Sequence, residues 1–100
     1  MAVGQSALYF NTTANNNTAV GHQALYDNTT GSNLTAVGYE ANANNTTGIY
    51  NVSLGLQSLL LNTTGSNNTA TWIVTGKLEP VVLSRRALYP TAVLLFAVVL

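Results

Sequence analysis

Acid–base chemistry in this chain would have to come from His22, Asp27, Glu40 and Glu79, its only imidazole and carboxylate side chains. General acid–base catalysis needs two such groups held against one reacting atom, and these four follow no spacing that would bring them together. A single His with no partner at ligand spacing makes no metal site. The absence of Cys removes thiol nucleophiles, thiolate metal sites and disulfides. Gly4, Gly21, Gly38 and Gly55 stand alone, without the Gly-Lys-Ser/Thr context of a phosphate loop. Capture of nucleic acid needs clustered Lys and Arg, whereas the formal net charge is zero and only Lys77, Arg85 and Arg86 are basic. No enzyme, cofactor, metal or nucleic-acid partner is therefore expected.

What remains is amide and hydroxyl chemistry. The chain has 100 residues, of which 13 are Asn and 14 Thr, while charged side chains make up 6% against about 25% in an ordinary soluble domain. Nine Asn-x-Thr/Ser sequons start at Asn11, Asn16, Asn28, Asn33, Asn44, Asn45, Asn51, Asn62 and Asn67. They read as glycan acceptors or as turn residues multiplied by copying, and the second reading is preferred. Adjacent sequons such as Asn44 and Asn45 could hardly both carry glycans.

The copying is explicit. Ala2-Val3-Gly4 returns as Ala19-Val20-Gly21, Ala36-Val37-Gly38 and, more weakly, Ser53-Leu54-Gly55, every 17 residues. Asn11-Thr12-Thr13 returns as Asn28-Thr29-Thr30, Asn45-Thr46-Thr47 and Asn62-Thr63-Thr64 at the same interval. The repeats run 2–18, 19–35, 36–52 and 53–69 without insertion, and a fifth starts at Ala70-Thr71 but puts Trp72 where Gly belongs. His22 falls at a variable repeat position also filled by Gln5, Tyr39 and Leu56, which argues against a catalytic role for it. The chain divides near Gly76: residues 1–76 form the repeat region and 77–100 a hydrophobic segment of unrelated texture.

A unit of 17 residues is short for a helical-hairpin repeat, which takes about 33–47, and its Gly, Asn and β-branched content disfavours helix. The expected fold is all-β: a parallel β-solenoid of about four coils, each with two short strands and two turns. Thr18-Ala19-Val20 represents the first strand, ended by Gly21. Ala24-Leu25-Tyr26 represents the second, closed by Asn28-Thr29-Thr30-Gly31. Stacking about 4.8 Å apart would align Val3, Val20, Val37 and Leu54 in one apolar ladder and Leu8, Leu25 and Leu59 in another. Asn42 interrupts the second ladder, so the third coil should be the weakest. Asn11, Asn28, Asn45 and Asn62 would form an amide ladder, each bonding its neighbours above and below. Stacked like charges would repel at that spacing, which accounts for the missing charge.

The run Asn17-Thr18-Ala19-Val20-Gly21-His22-Gln23-Ala24-Leu25 resembles the head repeats of trimeric autotransporter adhesins. The continuation Tyr26-Asp27-Asn28-Thr29-Thr30-Gly31-Ser32-Asn33 is similar to repeats in tail-fibre-type proteins of bacteria and phages. The resemblance covers about residues 2–71. It implies a left-handed parallel β-roll from each chain, three chains around one axis, and binding to host-surface, matrix or receptor molecules from an extracellular, bacterial-surface or virion location. No signal peptide, heptad stalk, barrel anchor or self-cleaving chaperone domain is recognisable in the sequence.

The expected role is thus a non-catalytic fibrous module in surface presentation or adhesion, a homotrimer in its parent protein. The candidate partner surface is Gln5, His22, Tyr39 and Leu56 with Tyr9 and Tyr26, which would otherwise pack between chains. The alternative is a Thr array binding ice or another ordered surface. Adjacent Thr residues in a strand face opposite ways, so each coil would show one outward Thr. Ala87–Leu100 has fourteen uncharged residues, short of the roughly 20 that span a bilayer as a helix. It is expected to be a strand region packed on the solenoid end or a reading-frame artefact, ahead of a membrane contact.

Overall fold

The computed structural model describes residues 1–72 and the backbone of 81–84. The residues described contain no helix. Five short strands, β1 (Ala2–Val3), β2 (Thr18–Val20), β3 (Thr35–Val37), β4 (Val52–Leu54) and β5 (Asn68–Thr71), lie side by side in sequence order. All four neighbouring pairs are parallel, and each residue faces its equivalent one repeat on, as in Ala2↔Ala19, Ala19↔Ala36, Ala36↔Ser53 and Ser53↔Ala70. A sixth strand, β6 (Val81–Ser84), runs antiparallel along β5. The fold is all-β with a parallel sheet in 17-residue register. Trp72 keeps that register although it replaces the Gly: its N–H donates to Leu54 O at 2.9 Å, as Gly55 N–H does to Val37 O at 2.7 Å.

Strand alternation sets which residues face inward. In β2 the central Ala19 is fully buried between two half-buried neighbours. Ala36, Ser53 and Ala70 repeat this position, each no more than 2% exposed. The ladder Val3–Val20–Val37–Leu54 is in register but lies on the outer face, where Val3, Val37 and Leu54 are 53%, 38% and 40% exposed. The small inward residues let the opposite wall approach closely, and that wall supplies the bulk: Leu25 and Leu34 are buried with Ala24, Ala36 and Ala41, and Ala7 and Leu8 pack against them. Each fully buried Leu contributes roughly 2 kcal/mol by removal of apolar surface from water.

The Ala-Leu-Tyr segment is not the second strand expected from the sequence. Residues 22–27 form consecutive turns, with Gln23 and Leu25 in the left-handed region at φ 55° and 53°. Ala24 N–H donates to Gly21 O and Tyr26 N–H to Gln23 O, each closing a turn whose third residue is left-handed. The alternate amides leave the unit: Gln23 N–H donates to Gln5 O at 2.9 Å and Leu25 N–H to Ala41 O at 3.0 Å. The physical reason is burial. A strand would send Ala24 and Leu25 to opposite faces, whereas here both are fully buried. Left-handed backbone at a non-Gly residue costs about 1 kcal/mol or more, and the core contact with the inter-unit hydrogen bond offsets it. The pattern recurs at Ser6 and Leu8, Glu40 and Asn42, and Gln57 and Leu59.

The hydrophobic segment 87–100 lies outside the described residues, as does the boundary at Gly76. Among the described residues no helix is long and apolar enough to cross a membrane.

Candidate functional site

The best-defined chemistry is at the Asn corner, where the chain leaves the turn run. Asn28 Nδ2 donates to Asn11 Oδ1 at 2.9 Å, Asn45 Nδ2 to Asn28 Oδ1 at 2.9 Å and Asn62 Nδ2 to Asn45 Oδ1 at 3.0 Å. The second hydrogen of each amide closes a local turn, from Asn28 to Gly31 O at 2.9 Å, Asn45 to Gly48 O at 3.1 Å and Asn62 to Gly65 O at 3.1 Å. Asn28 and Asn45 are fully buried. A buried polar group is tolerable only when it is hydrogen-bonded, and the repeat supplies that partner from the next unit. A Cβ on Gly31 would meet Asn28 Oδ1 and Asn45 Nδ2 at 2.5 and 2.8 Å, so the corner also requires glycine there.

A second amide file escaped the sequence reading. Asn17 Nδ2 donates to Gly31 O at 2.8 Å, and Asn51 Nδ2 to Gly65 O at 2.7 Å. Their oxygens accept the Leu34 and Asn68 amides at 3.0 and 2.9 Å. Asn17, Asn51 and Asn68 share one repeat position, and Leu34 breaks the series. The signal was the Asn six residues after each Asn-Thr-Thr, present in three of four copies.

Gly21 and Gly38 sit at the end of their strands with φ +133° and +135°, and a Cβ on either would strike the carbonyl of the glycine one unit further on. Gly4 and Gly55 hold the same place at φ +124° and +108°. This explains the invariant Gly of the unit better than turn freedom alone.

The expectation of one outward Thr per coil holds in the two inner units, where Thr30 and Thr47 are exposed and Thr29 and Thr46 half-buried, but strand alternation is not its cause. Asn-Thr-Thr is a bend, not a strand, so side-chain alternation does not apply. Thr13, Thr30, Thr47 and Thr64 are exposed, and Thr12 and Thr63 are exposed beside them. The first Thr is nonetheless committed, since Thr12 Oγ1 donates to Thr29 O, Thr29 Oγ1 to Thr46 O and Thr46 Oγ1 to Thr63 O at 3.0, 3.1 and 3.1 Å.

The candidate partner residues form two clusters. Tyr39 and Leu56 are 45% and 44% exposed and Gln5 is exposed, while His22 is half-buried and stacks on Tyr39 at 5.0 Å between ring centroids. In the other cluster Tyr9 and the half-buried Tyr26 stack at 5.4 Å. Phe10, not singled out from the sequence, packs edge-on against both at 4.9 and 5.1 Å. Its repeat equivalents are Asp27, Asn44 and Leu61, so periodicity gave it no signal. Glu40 accepts a hydrogen bond from Gln57 Nε2 at 2.7 Å. As a hydrogen-bond acceptor first and as a charge second, the same carboxylate raises the Tyr39 phenol above its ordinary value of 10.0.

Among the described residues, no three His, Cys, Asp or Glu side chains gather as a metal ion would require. Of the sequons, Asn28, Asn45 and Asn51 are fully buried, whereas Asn16 and Asn33 are exposed at left-handed bends. Comparison of the chain with protein families, with curated proteins and with solved structures found no match.

Proposed function

We propose that the repeat region is a β-solenoid of 17-residue coils, left-handed and β-roll-like, acting as a non-catalytic fibrous module in adhesion or surface presentation. The observation that carries this reading is the uninterrupted hydrogen-bonded stack, from Ala2↔Ala19 to Leu54↔Thr71, built with only Asp27 and Glu40 as charged side chains before Lys77. A scaffold of this kind extends by repetition and offers regular side-chain files to a partner. Trimeric adhesin heads and tail fibres use such scaffolds, and the Thr-Ala-Val-Gly-x-x-Ala-Leu sequence pattern supports that class. In this reading the chain is a homotrimer at a cell or virion surface. Gln5, His22, Tyr39, Leu56, Tyr9 and Tyr26 face either a receptor or the neighbouring chain, because exposed aromatic side chains dominate recognition surfaces.

Sedimentation of the full chain tests the assembly: a trimer is expected, and a well-folded monomer contradicts it. Binding of fluorescently labelled chain to animal and bacterial cells tests adhesion. Saturable binding weakened by Tyr9→Ser with Tyr26→Ser is expected, and no saturable binding to any surface removes the proposal. The ice-binding alternative draws on the exposed Thr13, Thr30, Thr47 and Thr64 file. It is weakened by the hydroxyls of Thr12, Thr29 and Thr46, which already donate to carbonyls. Clear thermal hysteresis would reverse the order of the two readings.

A further inference from the structure

We propose that Asn33 is the residue at which the folded chain carries an N-linked glycan. An N-glycan acceptor needs an amide nitrogen and a hydroxyl two residues on, and both must stay within an enzyme's reach. The nine sequons differ sharply in this respect. Asn28, Asn45 and Asn51 are fully buried, so a sugar on any of them would have to lie inside the stack. Asn11 commits its Nδ2 to Ala14 O, and Asn62 commits its own to Asn45 Oδ1 and Gly65 O. Asn16 Nδ2 donates to Asn33 Oδ1 at 3.4 Å. Two residues after Asn44, the Thr46 hydroxyl donates to Thr63 O. Asn33 and Asn67 remain. Among the described residues neither their Nδ2 groups nor the hydroxyls of Thr35 and Thr69 donate to anything, and of the two Asn33 is exposed and Asn67 half-buried.

The repeat supplies an independent observation. The equivalents of Asn33 and Thr35 are Asn16 and Thr18, Tyr50 and Val52, and Asn67 and Thr69. Asn and Thr therefore occur together in three units and are absent together from the unit 36–52. The fold requires neither. Tyr50 takes the left-handed bend at φ 57° that Asn33 takes at 59°, and Val52 opens β4 as Thr35 opens β3, the two facing each other in register. A pair that comes and goes as one, with its donors unused at Asn33 and Thr35, fits an enzyme's acceptor requirement and not a packing one. Asn33 lies in an inner unit, between Asn16 and Tyr50, so its exposure owes nothing to either end of the stack. In the transfer, Nδ2 attacks the anomeric carbon of a lipid-diphosphate-linked sugar. The N–C bond forms as the C–O bond to the diphosphate breaks, the nitrogen loses one proton to the transferase, and the lipid diphosphate leaves. The inference is independent of what the outward aromatic side chains bind.

The test incubates the full chain, purified unmodified and folded, with a single-subunit oligosaccharyltransferase and its lipid-linked oligosaccharide. Peptide mapping after enzymatic glycan release, which leaves Asp where a glycan stood, locates the product. A glycan on Asn33 is expected, with Asn28, Asn45 and Asn51 unmodified. The heat-unfolded chain should accept glycans on Asn28 and Asn45 as well, because the fold is what shields them. Thr35→Val should abolish modification of Asn33 while leaving thermal unfolding unchanged, since Val52 already fills that place in β4, and Thr35→Ser should retain the glycan. A folded chain without a glycan on Asn33 overturns the proposal. So does a folded chain modified equally at Asn28 and Asn45, or a glycan on Asn33 that survives Thr35→Val.

Discussion

Asn45 and Asn42 lie three residues apart in one unit and are both fully buried, yet their surroundings treat an amide in opposite ways. Asn45 belongs to a file in which every unit contributes Asn, so its amide donates to Asn28 and Gly48 and its oxygen accepts from Asn62 and Asn51. Asn42 belongs to a file of Leu8, Leu25 and Leu59, and neither its Nδ2 nor its Oδ1 has a hydrogen-bond partner. In a stacked fold the environment of a side chain is largely its own repeat equivalent. Periodicity therefore makes a buried Asn stabilising in one file and costly in the next.

Breaking the satisfied file should have the largest effect. Asn45→Leu takes away the side-chain donor of the Asn28 oxygen and of the Gly48 carbonyl, and removes one of two acceptors from each of the Asn62 and Asn51 amides. At about 1–3 kcal/mol for each unsatisfied buried group, the loss should reach about 3–5 kcal/mol. Denaturant titration by circular dichroism measures it, and a loss below about 1 kcal/mol would mean the ladder carries no stability. Asn42→Leu is the converse. It removes two unsatisfied polar atoms and completes the Leu file, so the same titration should show a gain of about 2 kcal/mol. A destabilised Asn42→Leu variant would show that the file is overpacked at that unit and would end the comparison.

Leu34→Asn sharpens the comparison by moving an amide into a file that already holds Asn17, Asn51 and Asn68. The substitution forfeits roughly 2 kcal/mol of apolar burial and gains bonds to Gly48 O and from the Asn51 amide. A net change within about 1 kcal/mol is expected, with new exchange protection at the Asn51 amide as the decisive signal. The smallest effect is a titration. Glu40 raises the folded-state pKa of Tyr39 above 10.0. Its contribution to stability is then complete below pH 10 and is lost as pH rises through the folded value. Ultraviolet titration should show the Tyr39 phenol ionising above its ordinary value, an effect removed by Glu40→Gln.

The strand positions and the Asn corner were legible because identical residues at fixed spacing must meet their own copies in a stacked fold. The same logic misled at Ala24-Leu25-Tyr26. Apolar residues in a run suggest a strand, and nothing in the side chains of Gln23 or Leu25 announces a left-handed backbone. That conformation follows from the need to bury Ala24 and Leu25 together, which is a tertiary demand. The outward placement of Val3, Val20, Val37 and Leu54 was hidden for a related reason. Composition ranks Val above Ala for burial, but the narrow interior behind the sheet takes only the smaller side chain. Phe10 was invisible because its partners Tyr9 and Tyr26 are fixed by one local cluster and not by the repeat.

The direction of the side-chain bonds at the corner has an electrostatic consequence. Every amide in the Asn file points its N–H toward the β1 end, from Asn62 through Asn45 and Asn28 to Asn11. The adjacent Thr file points the other way, with Thr12, Thr29 and Thr46 directing both N–H and O–H toward β5. An α-helix sums its peptide dipoles into partial charges at its ends, which attract counter-charged side chains. Here two neighbouring rows run in opposite senses, so they do not add to one another as the parallel peptide dipoles of a helix do. Opposed rows of this kind call for less counter-charge at the ends than aligned ones would, in keeping with a repeat that carries almost no charged side chains.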